Sequence, residues 1–460
     1  MRVADKKNTA ESLVREALEK AKKFEKYHVF TYLDEKGALT KAKELDKRIA
    51  AGEKVGRLAG VPFAIKDNFL HPMGDTTASA HILEGFTSPI TATAVEKLEA
   101  EGAIPIGRTN LDAFAHGSST ENSYYGPTLN AYDTERVAGG SSGGSAVAVA
   151  LDIVEFTTGT DTGGSIRQPA SFNGVYGLKP TYGCISRYGV VAMASSLDCI
   201  GFFTKTPDDM DLLMSIANGQ DPKDLTTLPD YYGEKTDPKS GDSHVKVGII
   251  KDFDNESVDA EIREALAKKC ELLKSKGYEI VELEMPALKY ALPAYYIIQP
   301  AEVASNLSRY DGIRYGLRSE KAHDLDSIYE ETRNEGFMPE NKRRIMIGNF
   351  VLSSGFYDAY FLKAAKARTM IVKEYEKAFE KVDYILMPVS PSPAFKLGEK
   401  TSDPVAMYLE DVMSVSLNLA GVPGLTIPAG KSSKGLPIGL QLVGPRRSDK
   451  NLIEFSKELA

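Results

Sequence analysis

Residues 159–169 read GTDTGGSIRQP, and a second glycine-rich loop, GGSSGGS at 139–145, precedes them across the alanine-rich stretch AVAVAL at 146–151. The pattern predicts a helix over 145–151 and a strand over 153–158 that delivers the later loop. Ser165 then falls at the carboxyl end of a strand and close to a helix start, where α/β folds place their chemistry. Glycines on both sides let main-chain N–H groups approach a substrate closely, so a nucleophile and an oxyanion site can share one loop.

Outward from this centre, apolar runs alternate with helical patterns. Residues 61–65, 103–106, 245–253, 278–284, 384–388, 424–428 and 438–443 read as strands, and 92–102 and 258–276 as helices. The fold class is therefore α/β, with helices around a buried sheet. At the N-terminus, Leu13, Val14, Ala17, Leu18, Ala21 and Phe24 form one helical stripe, so residues 1–50 read as a helical segment. Residues 288–382 are rich in Tyr, Arg, Lys and Glu at helical spacing. They read as a mainly helical insertion that walls a substrate pocket. The Asp-, Lys-, Pro- and Gly-rich stretch 219–242 reads as a surface loop.

With 460 residues, 42% of them hydrophobic, the chain can bury a large core. A net charge of −8 with both signs interspersed argues against binding nucleic acid directly through a broad basic surface. The spacing of Cys184, Cys199 and Cys270 fits neither a disulfide framework nor a zinc site. They read as small buried apolar residues in a reducing, cytoplasmic compartment, and no metal is expected. The polar N-terminus lacks the apolar core of a signal peptide, and no apolar run is long enough to cross a bilayer.

A string such as GGSSGG is by itself often a flexible linker, but a tether does not run directly into a buried helix. A lone serine at a helix start, as Ser165 is when taken by itself, is usually a cap. To attack, serine needs a group that removes its proton. The six histidines, His28, His71, His81, His116, His244 and His323, lie in no recognisable hydrolase motif, which brings a serine–lysine mechanism forward. Lys66 ends the apolar run VPFAI and can be carried to the sheet's end beside both loops. Acting as a base near neutral pH requires its pKa to fall by about three units, a differential cost of roughly 4 kcal/mol, through burial or a cationic neighbour. Asp161 and Arg167 flank Ser165 and read as a structural ion pair.

VPFAIKDN, GGSSGGS and GTDTGGSIRQPA resemble the motifs of the amidase signature family in order and in spacing, with 75 positions from Lys66 to Ser141 and 24 from Ser141 to Ser165. The likeness continues through GLKPTYG, ASSLDCIG and NLAGVPG, across most of residues 9–445. It implies a single amidase domain over 1–460, with a signature core at 55–210 and a large mixed central β-sheet covered by helices on both faces. It further implies a Ser-cisSer-Lys triad: Ser165 as nucleophile, Ser141 as bridge after a cis Gly140–Ser141 peptide, and Lys66 as terminal base. The N–H groups of Thr162, Gly163 and Gly164 are the implied oxyanion hole.

Within the family, HGSSTENSYYGPTLNAYD and ENKRRIMIGNFVLSSGFYDAYFLKAAKART are most similar to the glutamine-hydrolysing A subunits of tRNA-dependent amidotransferases. That likeness implies glutamine as substrate and the amidotransferase B and C subunits as partners. It places the mischarged tRNA, ATP and Mg with the partner, and leaves no cofactor in this chain. Tyr295, Arg344 and Asp411 are the implied glutamine-binding residues, with Arg343 competing for the place of Arg344. A free-standing amidase for small aliphatic or aryl amides is the alternative. Two departures stand out: His116 replaces a usual methionine, and Cys184 occupies a position often held by a basic residue. The C-terminal segment ending at Ala460 is expected to be shorter than usual.

Overall fold

Eleven strands form one sheet in the computed structural model, which describes residues 1–459 apart from 6, 234–244 and 254. In chain order they are β1 (Phe30–Leu33), β2 (Pro62–Lys66), β3 (Ile104–Thr109), β4 (Phe156–Asp161), β5 (Tyr176–Lys179) and β6 (Cys199–Thr204). The rest are β7 (Lys246–Ile250), β8 (Glu279–Leu283), β9 (Tyr384–Pro388), β10 (Gly424–Lys431) and β11 (Pro437–Val443). Their spatial order is β1-β3-β2-β4-β6-β5-β10-β11-β9-β7-β8.

The sheet is mixed. β2 runs parallel to both β3 and β4, and β7 parallel to β8 and β9, while every other pairing is antiparallel. Side chains alternate across the pleat: Phe63 and Ile65 of β2 join the large core on one face, and Ala64 joins a second core on the other. The helix Ala10–Lys23, capped by the Thr9 hydroxyl, closes the second face through Leu13, Val14 and Leu18. Helices Ala260–Ser275, Ala291–Asn306 and Lys363–Ala378 cover the first. The sheet is thus helix-covered on both sides.

Several expectations need correction. The N-terminal segment is not purely helical, because Phe30–Leu33 forms an edge strand antiparallel to β3. β5 and β6 went unrecognised in the sequence. β4 begins at Phe156 rather than 153, since Asp152 takes a left-handed φ of 55° after the preceding helix and delays the strand. The expected surface loop 219–242 is only partly open to solvent. Tyr231 and Tyr232 are buried, their hydroxyls donating to Asp449 and Asp211 at 2.7 Å, while 234–242 lies outside the described residues. Cys184 and Cys199 are buried, but Cys270 is only half-buried. Among the described residues, no helix is long and apolar enough to cross a membrane.

Candidate active site

Because β2 and β4 are parallel neighbours, Lys66 at the end of one and the 162–165 loop at the end of the other emerge at the same edge of the sheet. The third component arrives with the helix Gly143–Ala150, whose approach is fixed by main-chain bonds. Ser142 N–H donates to the Ser165 carbonyl at 3.1 Å, and Gly144 N–H to the Asn110 carbonyl at 3.1 Å. The Gly140–Ser141 peptide is cis.

Lys66 is fully buried, and its Nζ lies 2.8 Å from Ser141 Oγ, 2.7 Å from Ser142 Oγ and 2.8 Å from Thr160 Oγ1. Three hydroxyls surround one amine, and no carboxylate among the described residues touches it. Burial pushes the Lys66 pKa down to about 7, against the pull of Asp112, Asp161 and Asp198. A neutral amine has two N–H donors and one lone pair, so Ser142, Thr160 and Ser141 satisfy it completely. Ser142 and Thr160 escaped the sequence reading. Thr158 and Thr160 sit two apart on β4, one hydroxyl accepting the Lys66 main-chain N–H at 2.9 Å and the other facing Nζ, so the period-two threonines were the available signal.

Ser165 is 8% exposed at the mouth of this cluster, and its hydroxyl makes no side-chain hydrogen bond among the described residues. The N–H groups of Thr162, Gly163 and Ser165 likewise have no protein partner there. Gly164 does not join them: its N–H donates to Asp161 Oδ1 at 2.9 Å, which removes it from the expected oxyanion donors. Its φ of 145° and a Cβ position 2.5 Å from Ser414 Oγ require glycine. At Gly163 the constraint is proximity, since a Cβ would lie 2.6 Å from the Tyr295 hydroxyl.

Asp161 and Arg167 form the expected ion pair, fully buried and bidentate at 2.9 and 3.0 Å. Burial pushes the Asp161 carboxyl up, but the charge and hydrogen bonds of Arg167 outweigh it and hold the pKa at about 2. Arg167 also donates to the Ser414 carbonyl, Gln441 Oε1 and Asn418 Oδ1, so the nucleophile loop is stapled to the C-terminal quarter of the chain. Burial raises Asp198 to about 6 and Asp112 to about 7.

The three expected substrate-binding residues are linked to this loop by contact. Tyr295 packs beside Gly163, and its ring meets Tyr296 edge-on at 5.0 Å. The Tyr296 hydroxyl donates to Asp411 Oδ2 at 2.6 Å, Ser118 Oγ donates to Asp411 Oδ1 at 2.8 Å, and burial raises Asp411 to about 6. Arg344, also buried, lies over the rings of Tyr296 and Tyr408 and donates to Glu340 at 2.8 Å and to Gln299 at 2.9 Å. Arg343 is more exposed and pairs with Glu340, so Arg344 is the inward-facing cation. A cavity of about 290 Å³ opens against Ser118, Ser119, Glu340, Arg343, Arg344 and Tyr408. Tyr296 and Ser118 were not singled out from sequence, where no spacing marked them.

A family profile described as Amidase matches residues 12–453. The chain belongs to the amidase family. Among curated family members it is 51% identical over 422 residues to the glutamyl-tRNA(Gln) amidotransferase A subunit of Thermosynechococcus vestitus, covering 91% of this chain and 87% of that one. Identity to the protein of the same name from Trichormus variabilis is 47% over 456 residues, or 98% and 94% of the two chains. A crystal structure of the glutamyl-tRNA(Gln) amidotransferase A subunit from Thermotoga maritima superposes with a TM-score of 0.80 at 38% identity, covering 96% and 90%. This amidase is accordingly a mixed α/β enzyme of the same architecture.

Proposed function

We propose that this amidase hydrolyses glutamine to glutamate and ammonia as the A subunit of a tRNA-dependent amidotransferase, working in the cytoplasm. The observation that carries the chemistry is the dry Lys66 amine, held among hydroxyls with a pKa of about 7. Neutral Lys66 accepts the Ser141 proton, Ser141 accepts that of Ser165, and the Ser165 oxygen attacks the carboxamide carbon. Negative charge on the tetrahedral oxygen is met by the N–H groups of Thr162, Gly163 and Ser165, at about 2.7–4 kcal/mol per well-aimed donor. The relay returns a proton to the departing nitrogen, and ammonia leaves. Water then attacks the glutamyl ester by the same route and releases glutamate.

The substrate's charges fit the linked residues. Arg344 faces the α-carboxylate and Asp411 the α-ammonium, with Tyr295 between them and the nucleophile. What supports the assembly is likeness to relatives named as the A subunit of glutamyl-tRNA(Gln) amidotransferase. In this reading the B and C subunits form a heterotrimer with the chain, and the B subunit handles ATP, Mg and the mischarged tRNA.

The test is ammonia release from glutamine by the chain alone and coexpressed with B- and C-type subunits. Turnover that depends on the partners and is lost in Ser165→Ala supports the proposal. Rapid partner-independent hydrolysis of apolar amides, with none of glutamine, overturns it in favour of a free-standing amidase.

A further inference from the structure

His116 is wholly buried, and its neighbour fixes which ring nitrogen holds the proton. Asn341 Nδ2 donates to the Ala113 carbonyl at 2.9 Å, and Asn341 Oδ1 accepts from the Met338 N–H at 3.2 Å, which sets the orientation of that amide. The same Nδ2 lies 2.7 Å from His116 Nδ1, so Nδ1 is the acceptor. A neutral imidazole that accepts at Nδ1 carries its hydrogen at Nε2. Burial, and then the charge of Arg344, keep the ring neutral. The Nε2–H is therefore a donor, and it has no partner among the described residues. Buried donors are almost always paired, so an unpaired one beside a cavity points to a ligand.

His116 helps to wall the 290 Å³ cavity together with Ser118, Ser119 and Arg344. Asn341 and Arg344 stand three apart on the helix Pro339–Leu352 and share a face, which brings the imidazole beside the guanidinium. Arg344 commits Nε to Glu340 and Nη1 to Gln299, while Nη2 makes no hydrogen bond among the described residues. Two donors, one cationic and one neutral, are thus left over on residues that line one cavity, the neutral one fully covered in the empty site.

We propose that His116 is a specificity-determining residue: its Nε2–H holds one oxygen of the glutamine α-carboxylate while Arg344 Nη2 holds the other. A planar anion with two acceptor oxygens matches two leftover donors, whereas an ammonium or an apolar group satisfies neither. The assignment rests on the glutaminase reading above and adds a recognition element to it. The contact is made equally in ground and transition states, so its loss appears in KM rather than kcat.

The assay is steady-state ammonia release by the assembled enzyme carrying His116→Met, His116→Asn or His116→Gln, with circular dichroism to check folding. Met removes the donor, Asn keeps an acceptor-side contact but lacks the Nε2 position, and Gln restores an N–H near it. Met and Asn raise the KM for glutamine about 10-fold at unchanged kcat, and Gln stays within about twofold of wild type. The Ki of 4-aminobutanamide, which keeps the amine and carboxamide but lacks the carboxylate, is the same in all four proteins. Unchanged KM in the folded Met or Asn variant overturns the proposal, as does an equal loss for 4-aminobutanamide; either result leaves Nε2–H to a trapped water. A wild-type enzyme that turns over no glutamine under any assembly overturns the glutaminase reading along with it.

Discussion

Lowering the pH from 8 to 6 cuts the activity of this enzyme about tenfold through one proton. With a Lys66 pKa of about 7, about nine-tenths of the amine is neutral at pH 8 and about one-tenth at pH 6. An ordinary lysine, at 10.5, would be neutral in only about 0.3% of molecules at pH 8, so burial supplies roughly 300-fold more active base there. The kcat/KM for glutamine therefore approaches unit slope below about pH 6, bends near 7 and levels above 8, reporting the free enzyme. Asp112 and Asp198 titrate nearby, and solvent perturbation separates them from the amine. Dissociation of a cationic acid creates no new charge, so added ethanol leaves its pKa nearly fixed, whereas a carboxyl pKa rises. A stationary limb near 7 supports Lys66. A limb above pH 9, or one that climbs with ethanol, refutes the reasoning. The same shift has a stability signature: between about pH 7 and 10.5 only the unfolded chain holds this proton, so unfolding becomes harder as pH rises, by up to about 5 kcal/mol.

Ser142→Ala removes one of the oxygen acceptors around Lys66 Nζ; losing an acceptor disfavours the charged ammonium more than the neutral amine, so the acid limb moves to lower pH while maximal turnover falls about 10-fold, both read from the same profile. Gly163→Ala puts a methyl 2.6 Å from the Tyr295 hydroxyl and displaces the loop from the developing oxyanion, lowering kcat about 10²–10³-fold in single-turnover measurements. Arg167→Met leaves Asp161 buried without its partner and costs about 3–5 kcal/mol in urea unfolding, with a companion Asp161→Leu substitution recovering part of the loss.

Much of the sheet was legible because β2, β9 and β11 are apolar runs bounded by turn residues. β1 and β5 span four residues each, too short for a period-two pattern to stand out, and β1 hides between two helical stripes. β6 carries a glycine and follows Asp198, and its strand character comes from pairing with β4 and β5 on either side. In the site, residue types brought Ser165 and Lys66 forward, and the resemblance to the amidase signature motifs added Ser141 between them. Hydrogen-bond occupancy is a different matter. That Gly164 N–H is taken by Asp161, or that Thr160 turns its hydroxyl toward Nζ, depends on loop geometry that only the folded chain defines. The same holds for His116: its departure from a usual methionine is visible in sequence, but its unsatisfied nitrogen is not.

The Arg167 staple reaches from the nucleophile loop to Ser414, Asn418 and Gln441, the last of them 274 positions further along the chain. During synthesis the hydroxyls and the amine leave the ribosome long before the groups that hold their loop in shape. The restraints on the nucleophile loop are thus complete only once Gln441 has emerged, so this loop takes its final shape after nearly the whole chain has been made.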